Sequence, residues 1–239
     1  MCIRDRNHTA SDAQSDGLTH SSIWCIVKDN QGTLWLGTYF GGVNYFNPEY
    51  EIYSRYMYSP IEKKGLSNPV VGRTIEDKNG NLWIGTEGGG LNYYNRRTRE
   101  FKWFRPGSGP NSISHNNIKA LYYDASKDII WIGTHLGGLN RLDIHSGRFT
   151  HYRMEADNPE TLPSDIIRDI VPYQHQLVVA TQNGICLFDP ANGKCQQLFQ
   201  DSKEGKRIKM VADITFDSNG TLWICLLYTS PSPRDGATS

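Results

Sequence analysis

The sequence predicts an all-β fold assembled from copies of one four-stranded unit, and three observations support this prediction. Residues 34–38, 82–86 and 130–134 are nearly identical and read LWLGT, LWIGT and IWIGT. A pair of glycines, an apolar residue and an asparagine follow each of these segments. The tryptophans of the three segments are spaced 48 residues apart. A period of this length indicates one supersecondary unit repeated along the chain, and a β-propeller is the fold expected from it.

The second copy shows how one unit is built from four strands. The predicted strands are 70–75, 82–86, 91–94 and 100–104. The first is rich in β-branched residues, the second is a short apolar run suited to burial on both faces, and the fourth alternates charged and aromatic residues. Residues 77–81 read DKNGN, which favours a tight hairpin, and residues 87–90 supply glycines for a turn at positive φ. Four antiparallel strands in one period define a propeller blade.

The other copies repeat this layout with small departures. Repeat motifs lie near residues 29–45, 77–94, 124–142, 172–188 and 217–224. In the fourth copy Val178 replaces the tryptophan, Ala180 replaces the glycine after it, and one glycine of the pair is missing. The fifth copy stops after Ile224, before its Gly-Thr. We therefore expect a β-propeller fragment of four four-stranded blades and part of a fifth, on a repeat of about 47 residues, with the repeated tryptophans buried between blades.

The two ends of the chain are expected to be artefacts of sequencing. Residues 225–229 can be encoded by TGTCTCTTATACACAT, whose reverse complement encodes residues 1–5. This DNA word resembles a transposon-end adapter used in library preparation. We therefore exclude residues 1–6 and 225–239 from fold reasoning. Residues 7–224 are expected to be an incomplete propeller domain from the interior of a longer protein.

Composition argues against a nucleic acid or an anionic membrane surface as the main partner. The 239 residues include 25 basic and 25 acidic side chains, and basic residues form only short clusters. No apolar run approaches the roughly 20 residues that span a bilayer. Outside the excluded ends the cysteines are Cys25, Cys186 and Cys195, of which the last two would lie on adjacent strands. They form either a disulfide or two buried thiols.

The repeated motif resembles the two-component regulator propeller repeat. The shared pattern is Asp-x-x-Gly-x-Leu-Trp-Ile-Gly-Thr-x-x-Gly-Gly-Leu-Asn-x-Tyr, followed by Phe-x-x-Tyr or Phe-x-x-Phe. Residues 29–45 carry it, as do residues 77–94 with Phe101 and Phe104, and residues 124–142 in a hairpin one residue longer. The resemblance extends over residues 17–224.

The resemblance implies a sensor domain. In that family the repeats build the extracytoplasmic, periplasmic part of hybrid histidine kinases anchored in the inner membrane, where paired propellers recognise oligosaccharides from glycans. It implies that this chain is the ligand-binding part of such a kinase, with glycan utilisation as the process regulated. The implied partners are an oligosaccharide, a second propeller and a dimer partner. The kinase domains would lie outside this chain, so no enzyme activity is expected of it.

Catalytic, metal and cofactor sites are not predicted. The glycine-rich residues 85–90 precede a strand rather than a helix and lack the lysine of a phosphate-binding loop. The histidines show no paired spacing typical of metal ligands, and no nucleophile-and-base motif recurs. Carboxylates occur mainly in turns, where Asp favours local backbone bonding.

A binding face is predicted instead, because propellers use the loops before the first strand and between the second and third strands. Aromatic side chains with polar and charged neighbours suit sugar recognition. Exposed aromatic residues that lie together also indicate an interaction site. The candidate ligand-binding residues are Trp24, Tyr39, Phe40, Arg73, Glu87, His115, Lys119, His135, Arg168 and Gln182.

Two other classes of function remain open. A secreted carbohydrate-active propeller enzyme would need paired carboxylates that converge on the axis. A protein-interaction scaffold would show a broad apolar rim without a polar pocket.

Overall fold

The computed structural model describes residues 18–47, 52–199 and 208–227, and within them it is built from five antiparallel sheets. Blade 1 contains β1 (Ile23–Lys28), β2 (Leu34–Thr38), β3 (Val43–Asn47) and β4 (Ile52–Tyr56). Blade 2 contains β5 (Val71–Glu76), β6 (Leu82–Thr86), β7 (Gly90–Asn95) and β8 (Glu100–Phe104). Blade 3 contains β9 (Ile118–Asp124), β10 (Ile129–Thr134), β11 (Leu139–Asp143) and β12 (Arg148–Tyr152).

Blade 4 contains β13 (Ile167–Tyr173), β14 (Gln176–Thr181), β15 (Gly184–Phe188) and β16 (Cys195–Leu198). Blade 5 contains β17 (Val211–Phe216) and β18 (Leu222–Leu226). In each sheet the strands are hydrogen-bonded in chain order, and a short 3-10 helix (Glu62–Lys64) lies between blades 1 and 2. The predicted fold class, four four-stranded blades and part of a fifth, is confirmed.

The first strand of each blade is the innermost one. Strand β5 contacts β1 and β9, and β13 contacts β9 and β17, so the five first strands are consecutive neighbours. They surround the central axis, as in a β-propeller, and the later strands of each blade lie further out.

The repeated tryptophans form the core between blades, as predicted. Each belongs to a buried cluster that includes the first residue of the next blade's innermost strand, and each is at most 5% exposed. The shared clusters contain Trp35 with Val71, Trp83 with Ile118, and Trp131 with Ile167. The glycine two residues after each tryptophan leaves room for this contact. A Cβ on Gly133, for example, would lie 2.5 Å from Ile167 Cγ2.

The aspartate of the motif holds both the hairpin and the tryptophan. Asp29 Oδ1 accepts the backbone N–H of Gln31 and Thr33 at 2.8 and 2.9 Å, and Asp29 Oδ2 accepts the indole N–H of Trp35 at 2.8 Å. The same indole bond joins Trp83 to Asp77 and Trp223 to Asp217. These bonds explain the shared spacing of six residues between aspartate and tryptophan in blades 1, 2 and 5.

The buried asparagine of the motif ties the loop before each blade to its third strand. Asn92 Oδ1 accepts the N–H of Ser67 at 2.8 Å, and Asn92 Nδ2 donates to Ser67 Oγ at 2.8 Å. Blades 1 and 3 repeat both bonds. In blade 4 Cys186 holds the asparagine position, and Pro163, which has no N–H, stands in the loop. The two departures therefore compensate each other, because a buried amide without partners would be costly.

Cys186 and Cys195 are two buried thiols in this structure. Their Sγ atoms are 3.4 Å apart, and both side chains are at most 6% exposed. The hydrogen bond with Cys195 and burial both raise the pKa of Cys186. The thiolate, which is the reactive form, is therefore disfavoured.

We expect iodoacetamide to alkylate the exposed Cys225 in the native chain while sparing Cys186 and Cys195 until denaturant is added. Peptide mass spectrometry after timed labelling measures this difference, with Cys225 as the internal control. Rapid native labelling of Cys186 would contradict its burial. Protection that persists in denaturant but disappears after reduction would instead reveal a disulfide.

Strand β18 extends two residues beyond the domain boundary predicted at 224. Cys225 and Leu226 pair with Asp213 and Val211, at the positions that glycine and threonine hold in blades 1 to 3. The adapter origin of residues 225–239 remains a prediction. Residues 1–17 and 228–239 lie outside the described residues.

Candidate ligand-binding site

Every innermost strand carries a β-bulge at the same position. In β9, Ile118 pairs with Thr134 and Ala120 pairs with Gly133, which leaves Lys119 without a partner in the ladder. Equivalent register shifts occur in the other four blades. The five bulge residues are Trp24, Gly72, Lys119, Arg168 and Ala212. A β-bulge changes the direction of the side chain that it carries. Each blade therefore has one redirected residue at the equivalent position, and the identity of this residue varies from blade to blade.

The residue after each second strand forms a rim above the bulges. Its backbone N–H donates to the carbonyl of the segment that precedes the innermost strand of the same blade, at 2.8 to 3.1 Å. The five rim residues are Tyr39, Glu87, His135, Gln182 and Leu227. Because this backbone bond is common to all blades, the side chains vary while their anchoring stays the same.

A cavity of about 380 Å³ lies where the five bulges meet. All five bulge residues line it, together with Arg73, Glu87 and Asp213. This volume falls within the range of about 300–1,000 Å³ that is usual for small-molecule sites.

Three exposed aromatic residues at the mouth of this cavity form what we term the aromatic platform: Trp24, Tyr39 and Phe40. Trp24 and Tyr39 stack with ring centroids 5.2 Å apart, and Phe40 meets Tyr39 edge-on at 4.3 Å. Their exposed fractions are 46%, 37% and 55%. Blade 1 therefore contributes an exposed aromatic surface beside the cavity.

Charged residues of the cavity are organised in two layers. At the mouth, Lys119 forms an ion pair with Glu87, and Lys119 Nζ lies 5.8 Å from the centroid of the Trp24 ring. One residue further along the innermost strands, Arg73 Nη2 lies 2.9 Å from Asp213 Oδ1 and 3.8 Å from Asp169 Oδ1. Burial, followed by the hydrogen bond with Asp213, raises the pKa of Asp169. Burial alone would raise the pKa of Asp213, but the hydrogen bond with Asp169 and the charge of Arg73 lower it.

The two candidate histidines lie next to each other, with ring centroids 6.3 Å apart. His115 Nδ1 accepts the backbone N–H of Asn117 at 3.0 Å, as His20 Nδ1 accepts that of Ser22 in blade 1. One nitrogen of His115 thus has a structural role. Burial, and then the charges of Lys119 and Arg168, lower the pKa of His135, so this imidazole is neutral at pH 7.

The structure places the ten candidate residues in different relations to the cavity. Those that line it are Trp24, Arg73, Glu87, Lys119 and Arg168. Tyr39 and Phe40 belong to the aromatic platform, which includes the cavity residue Trp24. His115 lies beside His135, and His135 interacts with the cavity residues Lys119 and Arg168. Gln182 occupies a rim position without lining the cavity. Binding by these residues remains a prediction.

Sequence reasoning missed Asp169, Asp213 and Asn117. Asp169 and Asp213 follow bulge residues directly, as Arg73 does. Alignment of the five innermost strands on their leading β-branched residue would have revealed this layer.

Comparison with known proteins places the repeats in a recognised class. Residues 17–40 and 65–88 match the family described as two component regulator propeller. This match confirms the resemblance inferred from the repeated motif. No curated protein sequence matches the chain significantly.

Solved structures share the fold. One is the extracellular domain of BT3049 of B. thetaiotaomicron, assigned to a hybrid two component system, with 25% identity, a TM-score of 0.71 and 85% of this chain covered. Another is the extracellular domain of BT4673 of the same organism, with 23% identity, a TM-score of 0.70 and 92% covered. This chain spans 27 and 30% of those two chains.

A streptogramin B lyase structure also aligns, with 16% identity and a TM-score of 0.61, over 89% of this chain and 63% of the lyase. At this identity the likeness concerns the fold alone. Within the part of the chain that the structure describes, no helix is long and apolar enough to cross a membrane.

Proposed function

We propose that this chain is the ligand-sensing propeller of an extracytoplasmic sensor domain and that its ligand is an oligosaccharide. The observation that carries the proposal is the aromatic platform at the mouth of a cavity lined by charged residues. Such pairing of an exposed apolar surface with converging polar groups is typical of small-molecule sites. It also matches a sugar ring, which offers an apolar face of C–H groups and a rim of hydroxyls.

The setting of this function is inferred from the comparisons. The propeller resembles extracellular domains of hybrid two-component systems, so we propose a periplasmic location within a membrane-anchored histidine kinase that controls glycan utilisation. A second propeller and a dimer partner complete the sensor. A ligand that binds one arrangement of the paired sensors more tightly shifts the population toward that arrangement, and the kinase responds to this shift.

An enzymatic role is less well supported by the geometry. Asp169 and Asp213 do converge on the axis, as a glycoside hydrolase would require, but they lie close enough for a hydrogen bond between their carboxyl groups to contribute to the raised pKa of Asp169. The two carboxyl groups of glycosidases stand about 5 Å or more apart, with the glycosidic bond between them. The pair instead binds Arg73, and Arg73 and Asp213 line the cavity. The ion pair between Lys119 and Glu87 at the mouth also argues against a broad apolar interaction rim.

Replacement of Tyr39 by alanine is expected to weaken oligosaccharide binding about tenfold, or about 1.4 kcal/mol, because it removes the central ring of the platform. The measurement is isothermal titration with the best ligand from a glycan array. Tyr173→Ala is the matched control, since Tyr173 is 40% exposed and stacks on Phe216, away from the cavity mouth.

The outcomes separate the three classes of function. Weaker binding by Tyr39→Ala, with unchanged stability and with Tyr173→Ala like wild type, supports sensing. Release of reducing sugar by the wild-type chain, lost in the variant, would support an enzyme. If the wild-type chain binds no glycan, a protein-interaction scaffold is the class of function that remains.

A further inference from the structure

The bulge and rim residues of adjacent blades meet in a repeated arrangement. The bulge residue of blade 3, Lys119, lies against the rim residue of blade 2, Glu87, and forms an ion pair with it. The bulge residue of blade 4, Arg168, lies close enough to His135, the rim residue of blade 3, for its charge to lower the pKa of that imidazole. One blade junction therefore pairs a cation with a carboxylate, whereas the next pairs a cation with an imidazole.

Arg168 is the third cation that lines the cavity. Its Nε atom is buried and has no hydrogen-bond partner, and no carboxylate of the described residues forms an ion pair with it. Arg168 is half-buried at the cavity wall, so a bound anion would supply the hydrogen-bond partner and the counter-charge that the described residues do not.

Two further unpartnered atoms lie at this junction. Four buried side-chain nitrogen or oxygen atoms lack partners among the described residues, and three of them are Arg168 Nε, His135 Nδ1 and Asn117 Oδ1. The backbone N–H of His135 donates to the carbonyl of Asn117 at 3.0 Å, which fixes these two residues side by side. Because buried polar groups are normally hydrogen-bonded, this concentration indicates a missing partner.

The other cations of the cavity are already neutralised. Lys119 has Glu87, and Arg73 has Asp213 with Asp169 beneath it. The imidazole of His135 is neutral and supplies a hydrogen bond rather than a charge. Of the three cations that line the cavity, Arg168 is thus the one without an ion pair among the described residues, and it lines the same space as Trp24.

We propose that the ligand is an anionic saccharide, whose carboxylate or sulfate binds Arg168 and His135 while a sugar ring lies on the aromatic platform. This inference rests on the function proposed above and specifies the class of its ligand. The planar fork of a guanidinium matches the paired oxygens of a carboxylate or a sulfate. Asn117 Oδ1 is an acceptor and would take a sugar hydroxyl.

The test is an array of matched neutral, uronate and sulfated oligosaccharides, followed by titration of wild type and two variants. Arg168→Gln removes the proposed charge. Arg148→Gln removes an equal charge from the exposed outer strand β12 and serves as the control. Wild type is expected to prefer acidic members by about 10- to 100-fold over their neutral counterparts. Arg168→Gln should lose that preference, and Arg148→Gln should keep it.

A second measurement needs no variant. Binding of acidic members by wild type should weaken as salt rises from 50 to 500 mM, whereas neutral members should be unaffected. Equal binding of neutral and acidic members, or acidic binding that survives both Arg168→Gln and salt, would overturn this inference but leave oligosaccharide sensing intact. Failure of wild type to bind any saccharide would overturn the proposed function as well. Preference among uronates and sulfates identifies the anionic group.

Discussion

Replacement of Gly138 by alanine is expected to lower the free energy of unfolding by about 3 kcal/mol or more. Gly138 has φ of +71°, and a Cβ there would lie 2.2 Å from the carbonyl oxygen of Tyr152 on the neighbouring strand β12. The variant thus suffers both a left-handed backbone strain and a clash with backbone atoms that cannot move aside. Urea denaturation followed by tryptophan fluorescence measures the loss.

Gly147→Ala is the matched control, since Gly147 has a similar φ of +67° but nothing within 4 Å of the added Cβ. It should lose only about 1 kcal/mol, the cost of the backbone conformation. Equal losses in the two variants would show that the contact with β12 contributes nothing. The second glycine of the motif would then be required only for its φ.

Replacement of Asp29 by alanine is expected to cost about 3–5 kcal/mol, because it breaks a buried charge network between blades 1 and 2. Besides its bonds to the hairpin and to Trp35, Asp29 Oδ2 accepts a bond of 2.7 Å from Arg96 of blade 2. The Arg96 guanidinium also lies 4.9 Å from the centroid of the Trp35 ring. The variant would leave the indole N–H and the guanidinium without their acceptor.

Asp217→Ala is the control, because Asp217 makes the same bonds in blade 5, has no arginine partner among the described residues, and holds the exposed Trp223. Its loss of stability should be much smaller. If both variants lose the same stability, the hairpin bonds alone account for the effect and the contact between blades does not.

The Asp29 effect should depend on pH. Burial alone would raise the pKa of Asp29, but the bonds from Trp35, Thr33 and Gln31 and the charge of Arg96 together lower it below the ordinary 3.8. A lowered pKa in the folded state means that the contribution is complete above pH 3.8 and is lost as the pH falls through the folded value. The difference between wild type and Asp29→Ala should therefore shrink in acid. A difference that grows below pH 3.8 would contradict this assignment.

Most of the fold could be predicted from the sequence because the repeat carries it. The period sets the blade, and the second-copy strands at 82–86 and 100–104 are found at those residues. The buried tryptophans follow from the same pattern. The reason that the motif contains Asn92 could not be predicted, because its two bonds to Ser67 depend on which loop lies beside the third strand.

The candidate site was predicted less completely, and the β-bulges are the physical reason. A bulge inserts one residue into one strand, so every later residue of that strand changes its facing relative to simple alternation. Arg73 was grouped with Trp24, Lys119 and Arg168, yet it follows the bulge residue Gly72 and lies in the deeper layer. Its carboxylate partners come from blades 4 and 5, which no local pattern connects to blade 2.

The five blades are structurally equivalent at the bulge and rim positions, although their side chains differ there. The backbone bonds that hold the two positions are the same in all five blades, and the side chains at these positions contribute little to the buried clusters. A substitution there can alter what the cavity recognises without altering how the ring is assembled. Ligand recognition and blade packing therefore depend on different positions of the same repeat. Selection can change the residues that recognise the ligand while the residues that pack the blades are preserved.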